Sequence, residues 1–194
     1  HSAGLPGFSR PFDSAELYDW DFACADLASQ APWWEVGAHS GYHAITQGYL
    51  IGEVVRRITG KSFGTFFREE VAEKVGADFH IGVNPKHFDR IADLVAAKEM
   101  APILEMDPDS ITGRVFSNLD ITPENTASAG WRQAEIPAAN GHGNARSVVR
   151  AQTAMANNGR AFGTELFSAK TVARALQPQI EGTDLVLGLD VKFA

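Results

Sequence analysis

From residue 45 to residue 60 apolar side chains recur with a helical period, and this stretch constrains the fold most. Ile45, Tyr49, Ile51, Val55 and Ile58 fall mostly on one face, while Glu53, Arg56 and Arg57 mark the solvated one. Gly60 stands where a left-handed C-cap belongs. Two residues on, Ser62 offers the N-cap of a second helix. Phe63, Phe66, Phe67 and Val71 would face inward there, and Arg68, Glu69, Glu70 and Glu73 outward. Each helix carries an apolar stripe that has to be buried against a core.

At 194 residues and 44% hydrophobic, the chain can supply such a core within one domain. A charged share of 21% excludes the disordered and fibrous classes. The net charge of −7 comes from scattered acidic residues. That disfavours nucleic acid and anionic membrane as partners, because both want a basic face. Cys24, the one cysteine, lies between Ala23 and Ala25, allows no intrachain disulfide and reads as a small core residue. No apolar run approaches membrane-spanning length and no signal peptide is visible, so the expected location is cytoplasmic. The chain opens at His1 rather than at a methionine.

Elsewhere the sequence is punctuated by breakers. Gly4, Pro6, Gly7 and Pro11 make the first stretch irregular, after which Ser14 is expected to cap a short helix through Leu17 and Tyr18. Phe79 to Val83 reads as a strand. Prolines at 102, 108, 123 and 137 predict loop and short helices from Lys98 to Gly143, a length that usually packs over something functional. Asn144 to Asn157 reads as a helix with Val148, Val149 and Met155 inward. Ser168 caps another helix to Leu176, and Asp184 to Val191 reads as a strand with an open edge. The organisation is α-rich with little sheet, and unfinished at both ends.

Ser40-Gly41-Tyr42-His43-Ala44 opens the first strong helix, with Trp33-Trp34-Glu35 upstream. A tyrosine in the first turn of a helix, reached through glycines, can present its hydroxyl at a cleft. The plain alternative is an amphipathic aromatic at a helix start. His39 and His43, four apart with Glu35 nearby, have a zinc-like spacing, but Gly41 interrupts them and no third strong ligand is placed, so they read as two ordinary histidines. Gly60-Lys61-Ser62 lacks the earlier glycine of a phosphate loop, since Val55 stands there. Gly37 to Gly41 is no Gly-x-Ser-x-Gly elbow, so Ser40 is no nucleophile. His142, between two glycines, either lines a substrate cleft or is a flexible turn residue.

Taken together these residues resemble a known family. Trp33-Trp34, the glycine turn, Gly-Tyr-His-Ala-Ile-Thr from Gly41 and Gly-Tyr-Leu-Ile-Gly-Glu-Val-Val-Arg-Arg-Ile-Thr-Gly-Lys-Ser from Gly48 resemble an active-site motif of serine hydrolases. These are the hydrolases with the class C β-lactamase and penicillin-binding-protein-like fold, and the similarity is nearest to their family VIII carboxylesterases. His1-Ser2-Ala3-Gly4-Leu5-Pro6 resembles the family's His-Thr-Ser/Ala-Gly-Leu-Pro segment, which follows the nucleophile helix. Ala138 to Ser147 resembles the segment leading into a later helix beside the active site. The matches fall in family order and span most of the chain.

The resemblance implies an α/β fold of the β-lactamase/transpeptidase type (αβα), the portion present being mostly helical with a few short strands and long loops. Residues 1–194 would form part of one hydrolase domain: its central helical region and part of the sheet. By motif position Tyr42 becomes the general base and then the general acid of a serine esterase, with His142 and Asn144 as substrate contacts. No metal and no cofactor is implied, and the partner is a small-molecule ester. Ala44 stands at the third motif position, where β-lactamases carry an asparagine that bonds the substrate amide; an ester has no such N–H, so Ala44 favours esters. Val36 stands where relatives commonly have proline.

Two family elements are absent from this sequence. No serine has a lysine three residues on (Ser168-Ala169-Lys170 is one short), and no Lys-Thr-Gly-like strand follows Ala194. A free phenol with a pKa near ~10 is about one part in a thousand ionised at neutral pH. Lowering it by about three units takes ~4 kcal/mol, roughly what one adjacent cation supplies at an effective dielectric of ~20. In the family, the lysine of Ser-x-x-Lys is that cation. The chain alone is therefore expected to be inactive, an internal piece of an enzyme that cleaves short acyl esters through an acyl-enzyme. The alternatives are a β-lactamase or acyltransferase of the same fold, or a non-catalytic β-lactamase-like module.

Overall fold

The computed structural model describes residues 1–95, 107–118 and 121–194. Helix α1 (Ser14–Tyr18) starts on Asp13, which forms a capping box with Glu16, so the cap lies one residue before the expected Ser14. Helix α2 (Trp20–Ser29) starts on Asp19 and packs against α3 (Thr46–Thr59), which ends at Gly60 in the left-handed conformation the sequence called for.

The buried face of α3 differs from the expected one. Ile45, Tyr49 and Gly52 are inside, whereas Ile51, Val54 and Ile58 are exposed. Two glycines account for the rotation. A Cβ at Gly52 would lie 3.0 Å from Cζ2 of Trp20, and one at Gly48 would lie 2.7 Å from the Ala138 amide nitrogen. Bare backbone, not the branched side chains, meets the neighbours. Tyr49, fully buried, donates its hydroxyl to the Leu17 carbonyl at the centre of a core with Phe8, Phe12, Leu27, Trp131 and Ile136. Cys24 packs against that core as a small residue should, and burial pushes its thiol up to about 11.

Ser62 caps α4 (Phe63–Phe67), which runs through a π-helical turn at Arg68–Ala72 into α5 (Glu73–Val75). Strand β1 (Phe79–Ile81) pairs antiparallel with β2 (Gly141–Gly143), setting His80 opposite His142. Between them lie the 3-10 turn Pro85–Arg90 and the short helices α6 (Ile111–Ser117), α7 (Pro123–Thr126) and α8 (Ala129–Gln133). The three helices match the expectation for Lys98 to Gly143; its part on 98–106 and 119–120 lies outside the described residues.

Asn144 caps α9 (Ala145–Ala156), but Val148 and Val149 are exposed rather than inward. The inner face is Ser147 and Ala154, and Arg150 reaches across to donate to the Val75 carbonyl at 2.6 Å. Short strands β3 (Arg160–Ala161) and β4 (Thr164–Glu165) pair, and Ser168 caps α10 (Ala169–Ala175).

The last element is a hairpin, β5 (Ile180–Thr183) with β6 (Asp190–Phe193), not one strand from Asp184 to Val191. Residues 184–189 form its turn. Asp184 accepts the Val186 and Leu187 amides on its side chain, each at 2.9 Å, and the Gly188 amide on its carbonyl, also at 2.9 Å. That local bonding outcompetes the strand propensity of the apolar run. Among the described residues no helix is long and apolar enough to cross a membrane.

Candidate active site

Tyr42 does not lie in the first turn of α3, as expected, but in an extended segment ahead of it, because the helix starts only at Thr46. Three consecutive amides tie the segment to distant partners. The Gly41 N–H donates to the His1 carbonyl at 3.0 Å, the Tyr42 N–H to Asp184 Oδ1 at 3.0 Å and the His43 N–H to His1 Nδ1 at 3.1 Å. These bonds fix the course of the segment from outside the helix; amides at a helix start have no intrahelical partner of their own.

The first and second family-like segments are laced together. Trp33 donates to the Gly4 carbonyl at 2.7 Å, Gly37 to the Ser2 carbonyl at 2.9 Å, and the Thr46 hydroxyl to the Leu5 carbonyl at 2.7 Å. Gly41 packs beneath the indole of Trp34 so tightly that a Cβ there would lie 2.9 Å from Cζ2.

His43 is buried and has both ring nitrogens occupied. The Leu5 amide can only donate, so Nε2, 3.2 Å away, accepts; Nδ1 therefore carries the proton and donates it to the Gly41 carbonyl. Burial holds the imidazole below its ordinary pKa, against the opposing bond to Gly41. His39, by contrast, is exposed. The pair behaves as two ordinary histidines, one of them a brace for the Tyr42 segment.

Tyr42 is 36% exposed, its ring 5.1 Å from that of His1, which in turn meets Phe193 edge-on at 4.6 Å. Among the described residues nothing hydrogen-bonds its hydroxyl, neither a serine nor a lysine. The nearest lysine in sequence, Lys61, is engaged by Glu69 and Glu70 beyond the far end of α3. What the segment offers chemically is a solvent-accessible phenol on a backbone pinned at both sides.

His142 and Asn144 share a cleft of about 450 Å³ with Asp78, His80, His87 and Arg90. Tyr42 is not among the residues lining it, so the structure joins two of the three sequence-derived candidates and leaves the third apart. Asn144 spends its Oδ1 on capping α9 through the Ser147 amide at 3.0 Å. Nδ1 of His142 is buried without a hydrogen-bond partner among the described residues, and burial lowers its pKa. The segment between these residues and α3 is fixed by Asn140. Its amide accepts from Ile136 at 2.9 Å and donates to the Trp131 and Ala134 carbonyls at 2.9 and 2.6 Å.

The sequence reading missed Asp184, which reaches Tyr42 from 142 residues away. The available signal was an Asp-x-x-x-Gly turn inside the apolar run, since Asp184 and Gly188 are typical turn residues.

Comparison with known proteins supplies the classification. The sequence profile of the β-lactamase family matches residues 1–193. The chain belongs to the β-lactamase family. Its β-lactamase/transpeptidase-like fold is shared with the crystal structure of a family VIII carboxylesterase, at a TM-score of 0.90 and 35% identity over 100% of this chain and 51% of that one. A penicillin-binding protein homolog from Caulobacter crescentus gives a TM-score of 0.84 and 36% identity over 100% and 51% of the two chains. Esterase/beta-lactamase LipL from Mycobacterium tuberculosis (strain ATCC 25618 / H37Rv) is 32% identical over 89% of this chain and 42% of its own length. This β-lactamase-family chain thus spans about half the length of the relatives it matches.

Proposed function

We propose that this chain supplies the tyrosine side of a serine esterase that cleaves short acyl esters through an acyl-enzyme, with Tyr42 as the proton shuttle. The observation that carries the reading is the exposed phenol of Tyr42 on a backbone fixed at 41, 42 and 43 by distant partners. A group so held can take a proton from an incoming serine and return it to the leaving alcohol. Ala44 at the third motif position suits an ester, which has no N–H to satisfy. Names among the relatives, a family VIII carboxylesterase and an esterase/beta-lactamase, agree with that class. The reading keeps His142 and Asn144 as substrate contacts, needs no cofactor or metal, takes a small ester as its partner and sets the enzyme in the cytoplasm.

The test uses the longer protein that carries a Ser-x-x-Lys segment alongside these residues. Tyr42→Phe is expected to lower kcat for p-nitrophenyl butyrate by about a hundred- to ten-thousand-fold, with an unchanged melting temperature. Full activity in that variant would overturn the reading. A β-lactamase is the second reading, favoured by the esterase/beta-lactamase name of the Mycobacterium tuberculosis relative. Turnover of a chromogenic cephalosporin above that of the ester would establish it.

A further inference from the structure

We propose that Asp184 is the positioning residue of this site, holding the backbone of Tyr42 so that its phenol meets the reacting ester. The proposal rests on the reading of Tyr42 as the proton shuttle. Asp184 is 1% exposed, and a carboxylate that deep in the protein is costly unless its charge is met. Here one oxygen, Oδ1, accepts three backbone amides: Tyr42 at 3.0 Å, Val186 at 2.9 Å and Leu187 at 2.9 Å. Desolvation raises its pKa, but these bonds, together with the nearby Ser40 hydroxyl, outweigh it, and the carboxyl stays below its ordinary range.

The last two bonds complete a turn that any asparagine or aspartate would form. The first goes beyond the turn. It runs to Tyr42, and a second rung beside it, from the Leu185 amide to the Ser40 carbonyl at 2.8 Å, runs the opposite way. Together they grip the chain on either side of Gly41. The turn is itself anchored from α6, where the Thr112 hydroxyl donates to the Val186 carbonyl at 2.6 Å. Oδ2 is buried without a hydrogen-bond partner among the described residues. A neutral acceptor would serve the turn; the charge adds strength to the bond that crosses to Tyr42.

Misplacing a catalytic group by about 1 Å can cost about a hundred-fold in rate. In the Ser-x-x-Lys-bearing protein, Asp184→Asn keeps an acceptor without the charge, while Asp184→Ala removes both. We expect kcat for p-nitrophenyl butyrate to fall about ten-fold in the first and about a hundred-fold in the second, with KM held within about two-fold. Asp190→Asn, on the exposed end of the same hairpin, serves as the control with unchanged kinetics. Tyr42 amide exchange is expected to speed up in both Asp184 variants, and if Asp184→Ala does not fold, Asp184→Asn carries the test. Unchanged kcat in Asp184→Asn and Asp184→Ala beside an inactive Tyr42→Phe would overturn the role of Asp184 alone. So would a rate loss that only follows the fraction unfolded, or Tyr42 exchange as slow as in the wild type. Full activity in Tyr42→Phe would overturn the underlying reading instead, and the role of Asp184 with it.

Discussion

Gly41→Ala gives a steric test of how the Tyr42 segment is built. The backbone at Gly41 is not in the left-handed region, so alanine fits its dihedrals and only packing opposes it. The added Cβ would lie 2.9 Å from Cζ2 and 3.1 Å from Cζ3 of Trp34, and closer still to Cη2. Ordinary contacts lie at 3.4–4 Å, so the indole has to give by half an ångström or more. It cannot do so freely, because it makes a T-shaped contact with the buried ring of His43, their centroids 6.1 Å apart. Overpacking of this kind costs about 1–3 kcal/mol. At roughly 2–4 °C per kcal/mol for a chain of this size, the melting temperature should fall by about 2–12 °C. Gly37→Ala in the same loop is the counter-case: φ is +84° and nothing lies within 4 Å of a Cβ, so only backbone strain of about 1–2 kcal/mol applies. Thermal unfolding followed by circular dichroism reads both. Combining Gly41→Ala with Trp34→Phe should recover part of the loss, a coupling of about 1 kcal/mol in a double-mutant cycle. A Gly41→Ala melting point within about 1 °C of wild type, or no coupling to Trp34, would refute the packing described here.

The other predictions concern the braces around the site. His43 is held neutral, with its folded pKa below the unfolded value, so the unfolded state binds more protons below about pH 6.5. Its stabilisation is fully present above that pH and is lost as pH falls, so the melting temperature should drop more steeply from pH 7 to 5.5 in wild type than in His43→Gln; equal slopes would contradict this. Asn140→Ala strands one buried amide and two carbonyls and should cost roughly 3–5 kcal/mol in denaturant melts, with Asn140→Asp no better because it restores only the acceptor.

Much of the scaffold was legible because its signals are local. The caps at Ser62 and Ser168 and the stop at Gly60 each depend on residues within one turn, and the structure has them where the sequence put them. The errors arise where distant partners decide. Tyr42 was assigned to the first turn of α3, but its amide and those of its neighbours bond to His1 and Asp184. The stripe of Ile51 and Ile58 was read as inward on hydrophobicity, whereas glycines at 48 and 52 admit closer approach on the other side. The run after Asp184 looked like a strand on apolar content, yet the Asp184 side chain folds it into a turn. The family was readable from motif order; the carboxylate behind the tyrosine was not, because a contact across 142 residues leaves no pattern in a single sequence.

The most direct measurement compares p-nitrophenyl butyrate hydrolysis by the 194-residue chain alone with the same chain supplied with a Ser-x-x-Lys segment. Acyl transfer needs a nucleophile, a cation to acidify the phenol and donors at the developing oxyanion, and loss of one oxyanion donor alone costs about a hundred- to a thousand-fold. We predict no turnover above a denatured control for the chain alone, activity once the segment is present, and its loss in Tyr42→Phe. Turnover by the chain alone that disappears in Tyr42→Phe would show a competent site within these residues and contradict the division of labour proposed for them.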